Sequence, residues 1–193
     1  MKKLPLDLYD AVHNRDRNRV KQLIKAGANP NYYYSHGRRV LMVAVSNSDF
    51  PMVKLLIAYG ADVNQRDLFG CSALWNASTS NRLDIFVYLL NRTKNINTRF
   101  AETILMYCAR CGLTQHMSEL LKRKAKLDLQ DFRGFTAITR AAESGEWECV
   151  DILLNAGANP KIKTQDGEDL FAICKRKGHT LTRPTPPRRT ILL

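Results

Sequence analysis

The chain has 193 residues, of which 45% are hydrophobic and 25% charged, so it is a folded protein of ordinary size rather than a disordered one. No apolar run approaches the ~20 residues that cross a bilayer, and the basic start lacks the apolar stretch of a signal peptide, so we expect a cytoplasmic protein that does not enter a membrane. Lysine and arginine total 30 against 18 acidic residues, and the net charge of +12 predicts attraction to an acidic body.

One phrase recurs along the chain at a regular distance. It reads VKQLIKAGANPN, then VKLLIAYGADVN, then VDILLNAGANPK, each time with Leu-Ile or Leu-Leu shortly before Gly-Ala. Gly60 follows Gly27 by 33 residues, and Gly157 follows Gly60 by 97 residues, which is close to three periods. A period of roughly 20–50 residues predicts a repeat array, in which each repeat packs only on its neighbours.

Six mostly small residues keep this period in what we predict to be the first helix of each repeat. Spacings of 33, 33, 31, 33 and 32 residues separate the members of the series Ala11, Ala44, Ala77, Cys108, Ala141 and Ile173. We expect these positions to be buried, because neighbouring repeats stack there with their backbones close together. Leucines such as Leu56 and Leu153 are expected to form the interior face of the second helices, and glycines such as Gly60 to end those helices in the left-handed conformation.

The repeats are expected to follow one another with little else between them. Their predicted extents, in chain order, are about 4–32, 33–65, 66–97, 98–129, 130–161 and 162–179. The first and last repeats carry extra charged residues, as is typical of end repeats that face water on one side. Residues 1–179 therefore form the predicted array, and the Pro/Arg-rich residues 180–193 are expected to form an extended or disordered tail.

Three motifs carry a resemblance to a known family. The third repeat has DLFG at 67–70 followed by SALWNA, the fifth has DFRG at 131–134 followed by TAITRAA, and GADVN at 60–64 closes the second. With the 33-residue period, these motifs resemble the ankyrin repeat over nearly the whole chain. The resemblance implies an all-α ankyrin-repeat solenoid of about six helix-turn-helix repeats with short β-hairpin-like turns, similar to small stand-alone bacterial and viral ankyrin proteins.

The search for chemistry favours a non-enzymatic protein without a metal or another cofactor. Cys108 and Cys111 form a C-x-x-C pair, for which zinc and redox roles are the alternatives to a structural one. The structural role is favoured, because Cys108 takes the place of a stacking alanine and His116 is the only histidine nearby. No nucleophile motif, metalloprotease helix or phosphate-binding loop is present in the sequence.

The resemblance also implies where a partner would bind. In an ankyrin-like stack the turn tips and first helices line a concave groove, and the second helices form the convex wall. The residues that map to this groove are Tyr32, Tyr33, Tyr34, His36, Arg38, Asn47, Arg66, Leu68, Phe69, Trp75, Arg99, Phe100, Arg110, Phe132, Arg133, Phe135 and Arg140. Because tyrosine, tryptophan and arginine dominate the energetics of protein interfaces, we expect the exposed aromatic residues among them to mark the site.

Two interpretations of the aromatic residues stay open at this point. Phe69, Phe100 and Phe132 either contact a partner or pack against the next turn and stiffen the array. Trp75 is either a core filler between repeats or an anchor in the groove. The tyrosine triplet at 32–34 favours the surface, because three adjacent side chains cannot all point inwards.

Together these features predict a protein-binding module that is a monomer on its own. Its groove is expected to bind an acidic protein partner and to act as an inhibitor, an immunity- or antitoxin-like binder, or a scaffold. The expected location is the cytoplasm or, for an effector, the cytosol of a host cell. The alternative function is nucleic-acid binding, in which the basic side chains would contact phosphates and the tyrosines would stack on bases.

Overall fold

The regular structure of the chain is helical within residues 4–98 and 101–181, which the computed structural model describes. No β-sheet forms in these ranges, and only two isolated bridges join extended segments there. The helices are α1 Leu4–His13, α2 Arg17–Lys25, α3 Val40–Ser46, α4 Phe50–Ala58, α5 Ala73–Thr79, α6 Leu83–Leu90, α7 Ile104–Arg110, α8 Thr114–Lys122, α9 Ala137–Ser144, α10 Trp147–Asn155 and α11 Leu170–Arg176. Five predicted repeats contribute two helices each, and the sixth contributes α11.

The helices fall into two compact units, which divide between Asn95 and Ile96. In the N-terminal unit each helix packs on its partner in the same repeat, and the first helices α1, α3 and α5 pack side by side. In the C-terminal unit α7 packs on α8 and α9 on α10, while α9 also lies between α7 and α11. Within each unit the repeats therefore stack through their first helices, as predicted. Most of the predicted tail lies outside the described residues.

The residues with the 33-residue spacing are buried, as predicted. The side chains with 0–6% exposure at these positions are Ala11, Ala44, Ala77, Cys108, Ala141 and Ile173. The second helices bury one leucine-rich face each, and Leu56, Leu89 and Leu153 are fully inaccessible. Each such leucine stabilises the fold by about 1.5–3 kcal/mol relative to an exposed one. Sequence periodicity thus locates the core of both units.

Short polar side chains set where many of the helices begin. The residues whose side chains accept a hydrogen bond from the amide three positions later are Asp16, Asp49, Ser72, Thr103, Thr136 and Asp169. Each satisfies one of the amides that a helix start leaves without an intrahelical partner, which stabilises the helix by about 1 kcal/mol. The second helices end at the predicted glycines, since φ is +95° at Gly27, +87° at Gly60 and +92° at Gly157.

A hairpin-like turn precedes the first helix in several repeats. The amide of Tyr34 donates to the carbonyl of Arg38 at 2.7 Å, and the same bond over four residues recurs from Asp67 to Cys71. It recurs in the C-terminal unit from Asp131 to Phe135, at 2.9 Å. These turns are the short β-hairpin-like elements that the sequence predicts, and they carry the tips on which the candidate site is built.

An asparagine or aspartate at the end of a repeat bonds the backbone of the next repeat. In the N-terminal unit the Oδ1 atoms of Asn31 and Asn64 accept the amides of Asp62 and Lys94. In the C-terminal unit Asn97 accepts the amide of Lys126, and Asp128 accepts that of Asn159. The bond lengths are 2.8–2.9 Å. A single side-chain oxygen at the end of each of the first four repeats therefore joins successive turns.

Glycines in the turn tips allow neighbouring tips to touch. The amide of Leu68 donates to the carbonyl of His36 at 2.9 Å, and that of Gln165 donates to Arg133 at 3.0 Å. A Cβ atom on Gly37 would lie 2.9 Å from the Leu68 amide nitrogen, and one on Gly134 would lie 2.8 Å from that of Gln165. The backbone itself fills the space that a side chain would need.

We therefore expect Gly134→Ala to destabilise the protein by at least about 1 kcal/mol more than Gly157→Ala. Both glycines have a positive φ, so both variants carry the strain of a left-handed alanine, about 1 kcal/mol. Only Gly134 has backbone atoms within contact distance of the added Cβ, whereas Gly157 has nothing within 4 Å. Urea unfolding measures the difference, and equal losses of stability would contradict the close approach of the tips.

Candidate functional site

Two adjoining cavities lie along the turn tips and first helices of the N-terminal unit. Both are lined by Ser35, His36 and Arg38, which form the wall between them. The first cavity, of about 370 Å³, is completed by Leu6, Tyr9 and Tyr34, and we call it the apolar cavity. The second, of about 340 Å³, is the polar cavity, and its remaining lining residues are Ser46, Asp67, Phe69, Cys71, Trp75, Asn76 and Thr79. We call the two cavities together the tip groove.

The apolar cavity is built from aromatic and aliphatic groups of the first two repeats. The ring centroids of Tyr9 and Tyr34 are 4.8 Å apart, so the triplet's third tyrosine packs on α1. Burial raises the pKa of the Tyr34 phenol to about 12, and the phenol therefore stays neutral at any physiological pH. Leu6 leaves 54% of its surface exposed beside these rings. Sequence reasoning missed Leu6 and Tyr9, because the first repeat has no turn to align with the others.

The polar cavity combines aromatic walls with hydrogen-bonding groups. The ring of His36 stacks on that of Phe69 with centroids 5.7 Å apart, so two neighbouring tips are joined by their rings as well as by backbone. Trp75 is half-buried and lines this cavity, so it faces the groove. Burial raises the pKa of the Cys71 thiol, which keeps it protonated and a poor nucleophile.

The three arginines near these tips have different roles. Arg39 donates to the carbonyls of Gly37 and Arg66, and Arg66 donates to Gly70, so both hold turn backbone. Arg38 instead faces both cavities, and its Nη2 donates to the hydroxyl of Ser46 at 2.8 Å. Arg38 thus lines the groove, and the group that its guanidinium binds there is an uncharged hydroxyl.

Exposed apolar side chains stand on the turn tips next to residues that line the tip groove. They belong to the tips themselves, and we call Tyr32, Tyr33, Leu68 and Phe69 the tip ridge. Tyr33, Leu68 and Phe69 are 62%, 76% and 54% exposed, and Tyr32 stacks on Tyr33 at 5.5 Å. Asn47 lies away from the ridge and bonds the carbonyl of His13, so it joins two repeats. The structure brings ten of the predicted groove residues into this unit.

The C-terminal unit holds five further predicted residues, of which some are internal. Phe132 is 69% exposed at a tip, beside the exposed Arg133. Phe135 is only 4% exposed, and the guanidinium of Arg140 lies 4.3 Å from its ring centre. The prediction that Phe135 contacts a partner is therefore wrong, since the ring packs inside its repeat.

The two remaining arginines of this unit are paired with acids. Arg140 forms a salt bridge with Asp131, whose side chain is fully buried. Arg110 pairs with Glu102 at 2.9 Å. Arg110 and Arg140 were predicted to contact a partner, but each forms an ion pair with an acidic residue of its own repeat. Two more predicted residues, Arg99 and Phe100, lie outside the described residues.

A charged cluster surrounds Arg176 in the C-terminal unit. Its guanidinium donates to Glu143 at 2.6 Å and to Glu168 at 2.8 and 2.9 Å. These hydrogen bonds hold the pKa of both carboxyl groups below the usual range, and they raise the pKa of Arg176. The cluster ties α11 and its turn to α9, so we interpret it as structural.

This cluster predicts a loss of stability in acid. Carboxyl groups whose pKa is lower in the folded state stabilise it above their unfolded pKa of about 4.3, and the stabilisation disappears as the pH falls through the folded pKa. We expect Arg176→Ala to melt at a lower temperature than the wild type at pH 7, and the gap to close below about pH 4. Melting curves across this range measure the gap, and a gap that is constant with pH would contradict the assignment.

Other groups that the sequence raised as candidates have structural positions. Of the C-x-x-C pair, Cys108 is fully buried and burial raises the pKa of its thiol, whereas Cys111 is exposed. Within residues 4–98 and 101–181 no group of three or more His, Cys, Asp or Glu side chains is placed to hold a metal ion. In the same ranges, no helix has both the length and the apolar character needed to cross a membrane.

Known proteins share this repeat pattern. The family model for ankyrin repeats, in three copies, matches residues 8–100 and 93–164. The chain is 30% identical over 140 residues to the potassium channel AKT2/3 of Arabidopsis thaliana, which covers 72% of this chain and 18% of the channel. The chain therefore spans less than a fifth of that relative's length.

Two solved structures show the same fold. An ankyrin repeat domain from Acinetobacter baumannii is 25% identical, with a TM-score of 0.82 and coverage of 89% of this chain and 91% of that one. A chain from the complex of a predatory endopeptidase of Bdellovibrio bacteriovorus with an immunity protein is 24% identical, with a TM-score of 0.77 and coverage of 89% and 92%. The family model, the stacked helix pairs and these likenesses confirm the predicted all-α fold, and the chain belongs to the ankyrin repeat family.

Proposed function

We propose that this chain is a non-enzymatic module that binds an acidic protein partner through the tip groove and the tip ridge. Ankyrin repeats are protein–protein interaction modules, and the family membership supports the class of function. The observation that carries the proposal is the tip ridge, where Tyr33, Leu68 and Phe69 each leave more than half of their surface exposed. Exposed large apolar side chains on neighbouring turn tips are typical of interaction sites.

The groups in the polar cavity support binding rather than catalysis. The carboxylate of Asp67 accepts the amides of Phe69 and Cys71, both at 2.9 Å, and so holds its own turn. The Cys71 thiol has a raised pKa, which opposes the thiolate that a nucleophile needs. The cavity therefore offers recognition groups, namely aromatic faces, hydroxyls and a guanidinium.

The charge of the chain supports an acidic partner. A net charge of +12 attracts an acidic surface over a distance and raises the association rate, and the effect weakens with salt. We propose a masking or scaffolding role for a monomer in the cytoplasm, or in a host cytosol for an effector, as an inhibitor or an immunity- or antitoxin-like binder. The likeness to a chain from an endopeptidase–immunity protein complex supports the fold on which such a role would rest.

The proposal is tested by capture on the tagged full chain from a lysate of its own source, with and without nuclease. We expect one acidic polypeptide to be retained after nuclease treatment, in an amount that falls as the salt concentration rises. The captured protein is then purified and titrated against the chain. A preparation whose 260/280 nm absorbance ratio is well above that of protein, and which loses its partner with nuclease, would instead support nucleic-acid binding.

A further inference from the structure

The two cavities of the tip groove differ in chemistry but share a wall. Ser35, His36 and Arg38 belong to both cavities, so one extended segment lying along the wall meets an apolar subsite and then a cationic one. Volumes of about 340 and 370 Å³ are at the low end of the range for ligand pockets, ~300–1,000 Å³. Each is therefore suited to one side chain of a partner rather than to a whole element.

The apolar cavity selects a large apolar side chain. Its walls are the rings of Tyr9 and Tyr34 and the exposed half of Leu6. The phenol of Tyr34 remains neutral because burial raises its pKa to about 12. Aromatic walls of this kind favour aliphatic or aromatic groups through contact area and ring packing.

The shared wall offers a guanidinium that has spare donors. Arg38 is half-buried, and among the described residues its guanidinium donates one hydrogen bond, to the Ser46 hydroxyl, although a guanidinium has five donors. Within the described ranges it forms no salt bridge, whereas Arg17 pairs with Asp49 and Arg82 with Asp84. A planar guanidinium in this state matches a carboxylate, which it can bind with two parallel hydrogen bonds.

Asp67, the acidic residue that also lines the polar cavity, binds the backbone of its own turn. Asp67 uses its Oδ1 for two backbone amides of its own turn, at 2.9 Å each. Asn76 and Thr79, which also line this cavity, carry no charge. Asp67 lines the polar cavity only, whereas Arg38 lines both cavities, so a carboxylate that follows an apolar side chain along the shared wall meets Arg38.

We infer that the tip groove recognises an extended segment of a partner protein in which a large apolar residue stands next to, or one residue from, an aspartate or glutamate. The apolar side chain enters the cavity of Leu6, Tyr9 and Tyr34, and the carboxylate pairs with Arg38. This inference rests on the proposed function and gives it a recognition rule. It identifies the partner by the chemistry of a short segment rather than by overall charge.

The test is a selection of phage-displayed random nine-residue peptides on the purified full chain. The variants are Arg38→Gln, Arg38→Lys, Leu6→Ser and, as a matched charge control, Lys21→Gln, whose side chain is exposed on α2. We expect the wild type and Lys21→Gln to enrich peptides with an acid beside a large apolar residue. Arg38→Gln should lose the acidic preference and keep the apolar one, and Leu6→Ser should do the reverse. Melting curves confirm that the variants are folded.

A synthetic peptide from the selection then gives the size of the effect. Replacing its acid by the amide, or Arg38 by glutamine, should each weaken binding about five- to tenfold, and the two changes together should weaken it no further. The affinity of Arg38→Lys should lie between those of the wild type and Arg38→Gln. Enrichment without acids, equal losses with Lys21→Gln, or no enriched peptide at all would overturn the inference. Since whole-protein capture is measured separately, that result would leave the proposed binding function standing on its own test.

Discussion

Replacing Asp131 with alanine is expected to lower the free energy of unfolding of the C-terminal unit by about 3–5 kcal/mol. Its Oδ1 accepts the amides of Arg133 and Phe135 at 2.8 and 3.0 Å, and its Oδ2 accepts two N–H groups of Arg140. The carboxylate is fully buried, and the guanidinium of Arg140 is 16% exposed. Removal of the acid leaves that guanidinium unpaired over the ring of Phe135, together with two turn amides that lose their acceptor.

A variant at the corresponding position in the N-terminal unit separates the contribution of the turn hydrogen bonds from that of the ion pair. Asp67 also accepts two turn amides, but no arginine pairs with it in the described part of the chain. We expect Asp67→Ala to cost only about 1–2 kcal/mol, and Asp151→Ala, an exposed change on α10, to cost almost nothing. The difference in the loss of stability between Asp131→Ala and Asp67→Ala measures the contribution of the buried ion pair.

Each unit carries one of the chain's two tryptophans, Trp75 in the N-terminal unit and Trp147 in the C-terminal unit. A Trp75→Phe background therefore reports Asp131→Ala and Asp151→Ala through Trp147, and a Trp147→Phe background reports Asp67→Ala through Trp75. Urea unfolding followed by fluorescence gives the free energy in each background, with the slope as a check that the transition is unchanged. A loss below about 1 kcal/mol for Asp131→Ala, or one equal to that of Asp67→Ala, would contradict the role of the ion pair.

Truncating three of the four side chains of the tip ridge is expected to abolish most of the partner affinity. The triple variant Tyr33→Ala, Leu68→Ala and Phe69→Ala should bind the captured partner at least about 100-fold more weakly, because a few large side chains carry most of the energy of an interface. The three side chains are 54–76% exposed, so their truncation should leave the melting temperature nearly unchanged.

The matched control is Phe171→Ala, which truncates an aromatic residue of the C-terminal unit that is 51% exposed. Titration calorimetry with the purified partner compares the variants with the wild type. If the triple variant binds within a factor of two of the wild-type affinity, the site does not lie at these tips. A comparable loss for Phe171→Ala would show that the interface reaches α11 instead.

The fold could be predicted from the sequence because its determinants are local and periodic. Ala44, Ala77 and Ala141 occupy the same place in each first helix, and the demand for a small side chain there is visible without any coordinates. The glycine after each second helix is equally visible, since a left-handed backbone favours it. The asparagine in the repeated phrase was visible as a pattern, but its bond to the next repeat was not.

The candidate site could be predicted only in part. The register of the turns identified Tyr33, Leu68 and Phe69, whose exposure the structure shows. Register cannot tell where a long, flexible side chain ends, and so Arg66 was assigned to a partner although it holds the Gly70 carbonyl. The same limit applies to Arg140.

The turn geometry explains one failure. Phe132 lies at the tip of the turn that the Asp131–Phe135 backbone bond closes and is exposed, whereas Phe135 stands directly before the first helix of its repeat and is buried. Leu6 was overlooked because α1 has no preceding turn in the described residues, and the alignment of turns therefore gave it no place. Its contribution to a cavity depends on the packing of α1 on α3, which is a tertiary contact.

In four successive repeats a terminal asparagine or aspartate supplies the bond to the next repeat. Asn31, Asn64, Asn97 and Asp128 all bond the backbone about thirty residues ahead with a single side-chain oxygen. A duplicated segment of one period would therefore bring its own connector, and a deleted one would remove its connector with it. The length of such an array can change during evolution by whole periods, while the surfaces at its tips diverge independently to suit new partners.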